Sequence, residues 1–218
     1  MINGDVMKIG ILGGSFNPPH NMHRDMALNL INNGYLDKVI FVPTGDFYKK
    51  RDLIDFIDRY NMVNLMIDGY DNLMVDSIGN SDNHQYTYQV LDYFKIIYPL
   101  DSIYFICGSD NLLEFDTWMN FEYILEKYNL LVVRRNKDNI DEIISKYGNY
   151  RDKIIGTNVK SSDLSSTYIR NNIGKDEILE YLDNSVLNYI NNNKLYGVNV
   201  GYRLQRIKDD SIMNLRWN

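Results

Sequence analysis

The chain has a single cysteine, Cys107, so an internal disulfide is excluded and cysteine usage gives no sign of an oxidising compartment. No apolar run approaches the roughly 20 residues of a membrane-spanning helix. Asp5 precedes any apolar segment and no basic stretch leads into a long hydrophobic one, so the sequence predicts no secretory signal and a cytoplasmic location. Positive charge is not in excess: 23 lysines and arginines against 29 aspartates and glutamates give a formal net charge of −6. That argues against a broad electrostatic grip on nucleic acid, where phosphate neutralisation supplies most of the affinity. Small phosphorylated ligands stay open, because a few local donors and cations suffice for them. There is no internal repeat, low-complexity tract or domain linker.

What is there is enough chain, 218 residues, to bury one core of generous size, with an ordinary soluble balance of 44% hydrophobic and 24% charged residues. Continuous apolar runs alternate with helical patterns. Strands are expected at 8–12, 38–42, 73–78, 102–107, 130–134 and 154–159, and helices at 20–33 (closed by Gly34), 52–67, 86–97, 111–115, 121–127, 138–147, 175–182 and 185–192. Ser165 or Ser166 would cap a further helix that carries Arg170. Runs apolar throughout suit strands covered on both faces, so the fold class expected is α/β, a doubly wound, Rossmann-like, mostly parallel sheet with helices on both sides. Its ligand crevice would lie beyond the carboxyl ends of the strands where their order reverses.

The richest stretch is Gly13-Gly14-Ser15-Phe16-Asn17-Pro18-Pro19-His20-Asn21-Met22-His23, set between the first strand and first helix. Glycines let the backbone turn sharply and approach a ligand, and the following helix points its unpaired N–H groups and positive dipole end into the same space. His20 and His23, three residues apart, would share one face of the first helical turn and could both donate to phosphate oxygens. Zinc is disfavoured there, since no cysteine pair or third ligand stands at zinc-site spacing, and no protein-built metal site is expected.

This stretch resembles the signature G-G-S-F-D-P-P-H-x-G-H of the nucleotidyltransferase superfamily, and in particular of nicotinate-nucleotide adenylyltransferases. Leu164-Ser165-Ser166-Thr167-Tyr168-Ile169-Arg170 is similar to that family's I-S-S-T-x-I-R motif. Phe105-Ile106-Cys107-Gly108-Ser109-Asp110 resembles its F-I-x-G-x-D turn, Tyr86-Thr87 its S-Y-T segment, and Trp118 falls where the family tends to carry a substrate-stacking tryptophan. The likeness runs from about residue 8 to 197, which makes 1–197 a nucleotidyltransferase domain and 198–218 a C-terminal extension of unassigned role. It implies adenylyl transfer from ATP to nicotinate mononucleotide, with Mg²⁺ accompanying ATP. His20, His23 and Arg170 would be catalytic. Gly13, Gly14, Ser15, Phe16, Gly108, Asp110, Ser165, Ser166 and Thr167 would bind the nucleotide, and Lys49, Lys50, Tyr86, Thr87 and Trp118 the acceptor. The partners implied are ATP and a pyridine mononucleotide, with neither nucleic acid nor membrane; a homo-oligomer stays open.

Two residues depart from the signature. Met22 stands where the family has glycine and would crowd a nucleotide, and Asn17 replaces an aspartate, with both types able to make local turn bonds. The loop 44–51 keeps only the lysine of the family's P-P-H-K element. These departures keep two alternatives alive: another nucleotidyltransferase acting on nicotinamide mononucleotide, phosphopantetheine or a cytidylyl substrate, and a nucleotide-binding protein without turnover. Arg134 and Arg135, at the end of a strand, are assigned no role, and His84 and Cys107 are read as structural or incidental.

Overall fold

The computed structural model describes residues 6–47, 52–83, 86–135, 138–160 and 164–197. Six strands form one all-parallel sheet in the order β3-β2-β1-β4-β5-β6. They are β1 (Lys8–Gly14), β2 (Lys38–Pro43), β3 (Leu73–Val75), β4 (Ser102–Gly108), β5 (Asn129–Arg134) and β6 (Ile154–Lys160). The helices are α1 (Asn21–Asn32), α2 (Phe56–Met66), α3 (Thr87–Ile97), α4 (Ser109–Leu113), α5 (Phe121–Lys127), α6 (Ile140–Ser145), α7 (Ser166–Asn171) and α8 (Asn184–Asn192). The direction of winding reverses between β1 and β4, the place where a doubly wound sheet opens a crevice.

Side-chain alternation explains why the strands read as unbroken apolar runs. Val39 and Phe41 of β2 and Leu131 and Val133 of β5 enter one core with Ala27, Leu30, Met62, Val63, Ile169 and Val186. Ile40 and Val42, with Leu130 and Val132, enter a second core with Leu91, Phe94, Leu112, Ile124 and Ile143. Helices α1, α2, α7 and α8 therefore cover one face and α3 to α6 the other. Gly10, in the middle strand, is required by packing: a Cβ there would run into the ends of Leu36 and Ile106.

Several expected boundaries move, each for a local reason. Helix α2 begins at Phe56 rather than Asp52; Asp52 has φ +61°, and Asp55 stands extended as the N-cap. Strand β3 stops at Val75 because the Asp76 carboxylate accepts from the Ile78 N–H, 2.8 Å, and starts a 3-10 turn at Ile78–Asn80. The segment expected as a helix at 175–182 is a 3-10 helix, Asp176–Tyr181. The one expected at 138–147 shortens to α6, and another 3-10 helix, Gly148–Lys153, follows. Gly34 (φ +74°) does terminate α1, its N–H bonded to the Ile31 carbonyl and that of Tyr35 to Leu30.

Candidate active site

At the carboxyl end of β1 the chain turns through Ser15 to Pro19 before α1. Phe16 takes φ +46° and folds its ring back on Gly14, where a Cβ would come within 3.0 Å of the ring. The same ring meets His23 edge-on, 5.1 Å between centroids, and Phe41 at 5.6 Å. The Asn17–Pro18 peptide is cis. His20 is the N-cap of α1, in extended conformation, rather than a member of its first turn. The two imidazoles still come together, because His23 lies three residues on: their centroids are 3.7 Å apart and the rings tilted by 31°. The His20 backbone N–H donates to His23 Nδ1 at 3.2 Å, so a neutral His23 carries its proton on Nε2.

His20 is only 4% exposed, and its Nδ1 has no hydrogen-bond partner. Burial, then the Arg135 charge, pulls the His20 pKa down to about 4. Burial, then His20 and Arg135, holds His23 well below the ordinary histidine range. Both rings are thus neutral near pH 7. An unfolded chain would bind these protons at the ordinary value of 6.5, and the folded His20 only near 4. Stability is therefore fully present above about pH 6.5 and is lost as pH falls towards about 4, by as much as roughly 3 kcal/mol from His20 alone. Denaturant titrations of wild type and His20→Gln across that window check this; the variant's stability should fall less steeply.

The corner after β4 faces the same crevice. A Cβ on Gly108 would meet Asp110 Oδ1, so a side chain there would displace the Asp110 carboxylate. Asp110 Oδ2 accepts from Arg135 at 3.1 Å, while its Oδ1 is buried without a partner. Ser109, fully buried, accepts from the Arg135 backbone N–H at 2.8 Å and donates to Asp138 at 2.7 Å. Arg135, unassigned in the sequence, is thereby fixed beside Asp110 and close enough to depress both histidines. The signal for it was available: it follows the carboxyl end of a parallel strand, as the other motifs do. Cys107, just beneath, is buried, its thiol pushed up to about 12 by burial and then by Asp110, and is inert.

The third motif packs onto the first. Ser165 caps α7, its Oγ accepting from the Tyr168 N–H at 3.1 Å. Ser166 Oγ donates to the Pro18 carbonyl at 2.9 Å, and Arg170 donates to the Asn17 carbonyl at 2.7 Å and to Thr167 Oγ1 at 3.2 Å. Asn17 is not engaged in a local turn bond: its Nδ2 donates to the Asp52 carbonyl at 2.7 Å, 35 residues away, a bond an ionised aspartate could not make.

On the other side of the Gly13–Ser15 turn lies a cavity of about 460 Å³. Its walls include Gly13, Gly14, Ser15, Thr44, Phe47, Tyr86, Thr87, Phe105 and Trp118, but not the histidines, Asp110 or the α7 residues. Trp118 is held by Phe105 and Phe115, at 5.7 and 5.2 Å between centroids. Thr87 is the first residue of α3, so this helix start borders the cavity. Lys49, Lys50 and His84 lie outside the described residues, as does the extension 198–218. Among the described residues, the buried side-chain polar atoms without a partner are His20 Nδ1, Asn21 Oδ1, Thr44 Oγ1 and Asp110 Oδ1, all just beyond the carboxyl ends of β1, β2 and β4.

A cytidylyltransferase-like family model matches residues 11–172. A protein of Caldicellulosiruptor bescii named "Probable nicotinate-nucleotide adenylyltransferase" is 38% identical over 186 residues, 81% of this chain and 91% of that one. One of Acholeplasma laidlawii with the same name is 33% identical over 188 residues, 85% and 96% of the two chains. The chain belongs to the nicotinate-nucleotide adenylyltransferase family. Among solved structures, Plasmodium falciparum nicotinic acid mononucleotide adenylyltransferase complexed with NaAD superposes with a TM-score of 0.73, covering 89% of this chain and 99% of that one. At 22% identity that likeness speaks for the fold. Within the adenylyltransferase signature Met22, the departure from glycine, is the second residue of α1 and is partly buried.

Proposed function

We propose that this chain transfers the adenylyl group of ATP to nicotinate mononucleotide, giving nicotinate adenine dinucleotide and pyrophosphate. The observation that carries the reading is the two-sided site: an aromatic cavity on one side of the Gly13–Ser15 turn and a histidine–arginine cluster on the other. An oxygen of the mononucleotide phosphate bonds to the α-phosphorus of ATP. The bond from that phosphorus to the bridging oxygen breaks, and pyrophosphate leaves with the electron pair. No protein nucleophile is needed, so catalysis rests on alignment of two anions and on stabilising the charge that builds up.

In this reading His20 and His23 donate to the reacting phosphate, and Arg135 adds the positive charge beside them. Ser165, Thr167 and the N-terminal end of α7 face the leaving pyrophosphate. Ser166 and Arg170 act first by holding the loop at Asn17 and Pro18. Gly108 and Asp110 border the nucleoside, with Asp110 Oδ1 free to accept from a ribose hydroxyl. Trp118 and Tyr86 flank the pyridine ring, Lys49 and Lys50 meet the mononucleotide's phosphate, and the N–H groups at Thr87 read the nicotinate carboxylate.

Among the described residues no three histidine, cysteine, aspartate or glutamate side chains cluster to hold a metal. Mg²⁺ would enter with ATP, held by phosphate oxygens and water, and would neutralise phosphate charge. No described helix is long and apolar enough to cross a membrane, and ATP use accords with the cytoplasm.

The test is pyrophosphate release by purified protein with Mg²⁺-ATP and, in turn, nicotinate mononucleotide, nicotinamide mononucleotide, phosphopantetheine or no acceptor. Release that depends on nicotinate mononucleotide is expected. Release with a different acceptor reassigns the substrate, and ATP binding with no release under any condition overturns the enzymatic reading.

A further inference from the structure

The turn that carries the site is gripped from outside by side chains distant in sequence. Arg59 of α2 donates to the Ser15 carbonyl at 3.0 Å, Arg170 of α7 to that of Asn17, and Ser166 to that of Pro18. The fourth hold comes from the far end of the chain. Tyr196 donates its hydroxyl to Asn17 Oδ1 at 2.8 Å, across 179 residues.

We propose that Tyr196 is a positioning residue for the adenylyl transfer, holding the turn that presents His20 and His23 through the side chain of Asn17. The inference rests on the reaction assigned above. Asn17 has one acceptor and one donor end, and the Asp52 carbonyl can take only the donor. The Tyr196 hydroxyl therefore completes a chain, Tyr196 to Asn17 to Asp52, that fixes the amide in one orientation. Burial raises the phenol pKa, which keeps the hydroxyl a donor at any working pH.

The backbone around Tyr196 points the same way. The residue sits at φ +57°, ψ +24°, within the turn Leu195–Gly197. A bulky side chain in the left-handed region is held there only when its surroundings over-determine it. Here the ring packs against the core formed by α1, α2 and α8, and the hydroxyl has a single geometry. The chain's last described turn is thus part of the active-site support, although it touches no substrate. A displacement of about 1 Å in reacting groups is enough to cost on the order of 10²-fold in rate.

Tyr196→Phe removes the hydroxyl and keeps the ring. The expected result is a kcat lower by about tenfold, with KM for ATP and for the acceptor changed by less than about twofold, because loop register matters in the transition state more than in binding. Asn17→Ala should lower kcat at least as much, and adding Tyr196→Phe to it should cost nothing further, since both remove one linkage. A kcat for Tyr196→Phe within about twofold of wild type, or losses that multiply in the double variant, would overturn the proposal. Hydrogen exchange of peptides covering 13–23 supplies a readout without turnover: faster exchange in Tyr196→Phe supports the hold, and unchanged exchange removes it. If wild type released no pyrophosphate with any acceptor, the reaction assignment would fail, while the exchange comparison would still decide whether Tyr196 restrains the turn.

Discussion

His20→Ala is expected to lower kcat by about 10² to 10³-fold, the usual cost of losing one donor to a charged transition state, while the protein remains folded. The structure separates these two effects. The His20 Nδ1 has no hydrogen-bond partner, so alanine removes no bond made by that atom. The bond that positions His23 comes from the His20 backbone N–H, which alanine retains. What folding loses is ring packing, and removal of a buried, unpartnered polar atom offsets part of that loss. What the proposed reaction would lose is an imidazole held neutral at pH 7, whose pKa would rise if anionic phosphates bind beside it as proposed. If His20 were only packing, the variant would melt earlier and its folded fraction would turn over normally. Pyrophosphate release at saturating substrate, measured together with the melting temperature, discriminates the two. His23→Ala is a less clean variant, because it also strands the His20 N–H.

The fold was legible because both faces of the sheet are covered. A strand such as Lys38–Pro43 must be apolar at every interior position, and that pattern needs no partner to be recognised. The histidine turn and the α7 motif were legible through residue type and order. What escaped were groups whose meaning depends on distant elements. Asparagine is a residue type able to make local turn bonds, but the partners of the Asn17 side chain, Asp52 and Tyr196, are 35 and 179 residues away. Arg135 differs from its exposed neighbour Arg134 only in facing the corner at Ser109 and Asp110. Arg59 did leave a trace: it falls on the same helical face as Phe56, Met62, Val63 and Met66, all buried, where a solvated arginine has no place. The early start expected for α2 has the same origin, since residues 52–55 follow its stripe but are shaped as a loop, with Ile54 offering its carbonyl to Arg59.

Arg59→Met is accordingly expected to destabilise the protein by about 2–4 kcal/mol, with a lower turnover in what stays folded. Arg59 is fully buried, and its guanidinium donates to the Ile54 carbonyl at 2.9 Å, the Ser15 carbonyl at 3.0 Å and Asp46 Oδ1 at 3.1 Å. Burial pulls its pKa down and Asp46 opposes that pull, yet arginine stays charged at any working pH. Methionine fills much of the volume but leaves both carbonyls without this donor, at roughly 1–3 kcal/mol for each acceptor stranded. The Asp46 pairing contributes far less, because the Asp46 side chain is 54% exposed and screened by solvent. Asp46→Asn should therefore cost less than about 1 kcal/mol, and Arg59→Lys should recover little, since an ammonium lacks the planar fork that reaches three acceptors at once. Denaturant midpoints for the three variants order these contributions. A loss in Asp46→Asn equal to that in Arg59→Met would mean that the ion pair, and not the grip on the Ser15 and Ile54 carbonyls, holds this side of the site.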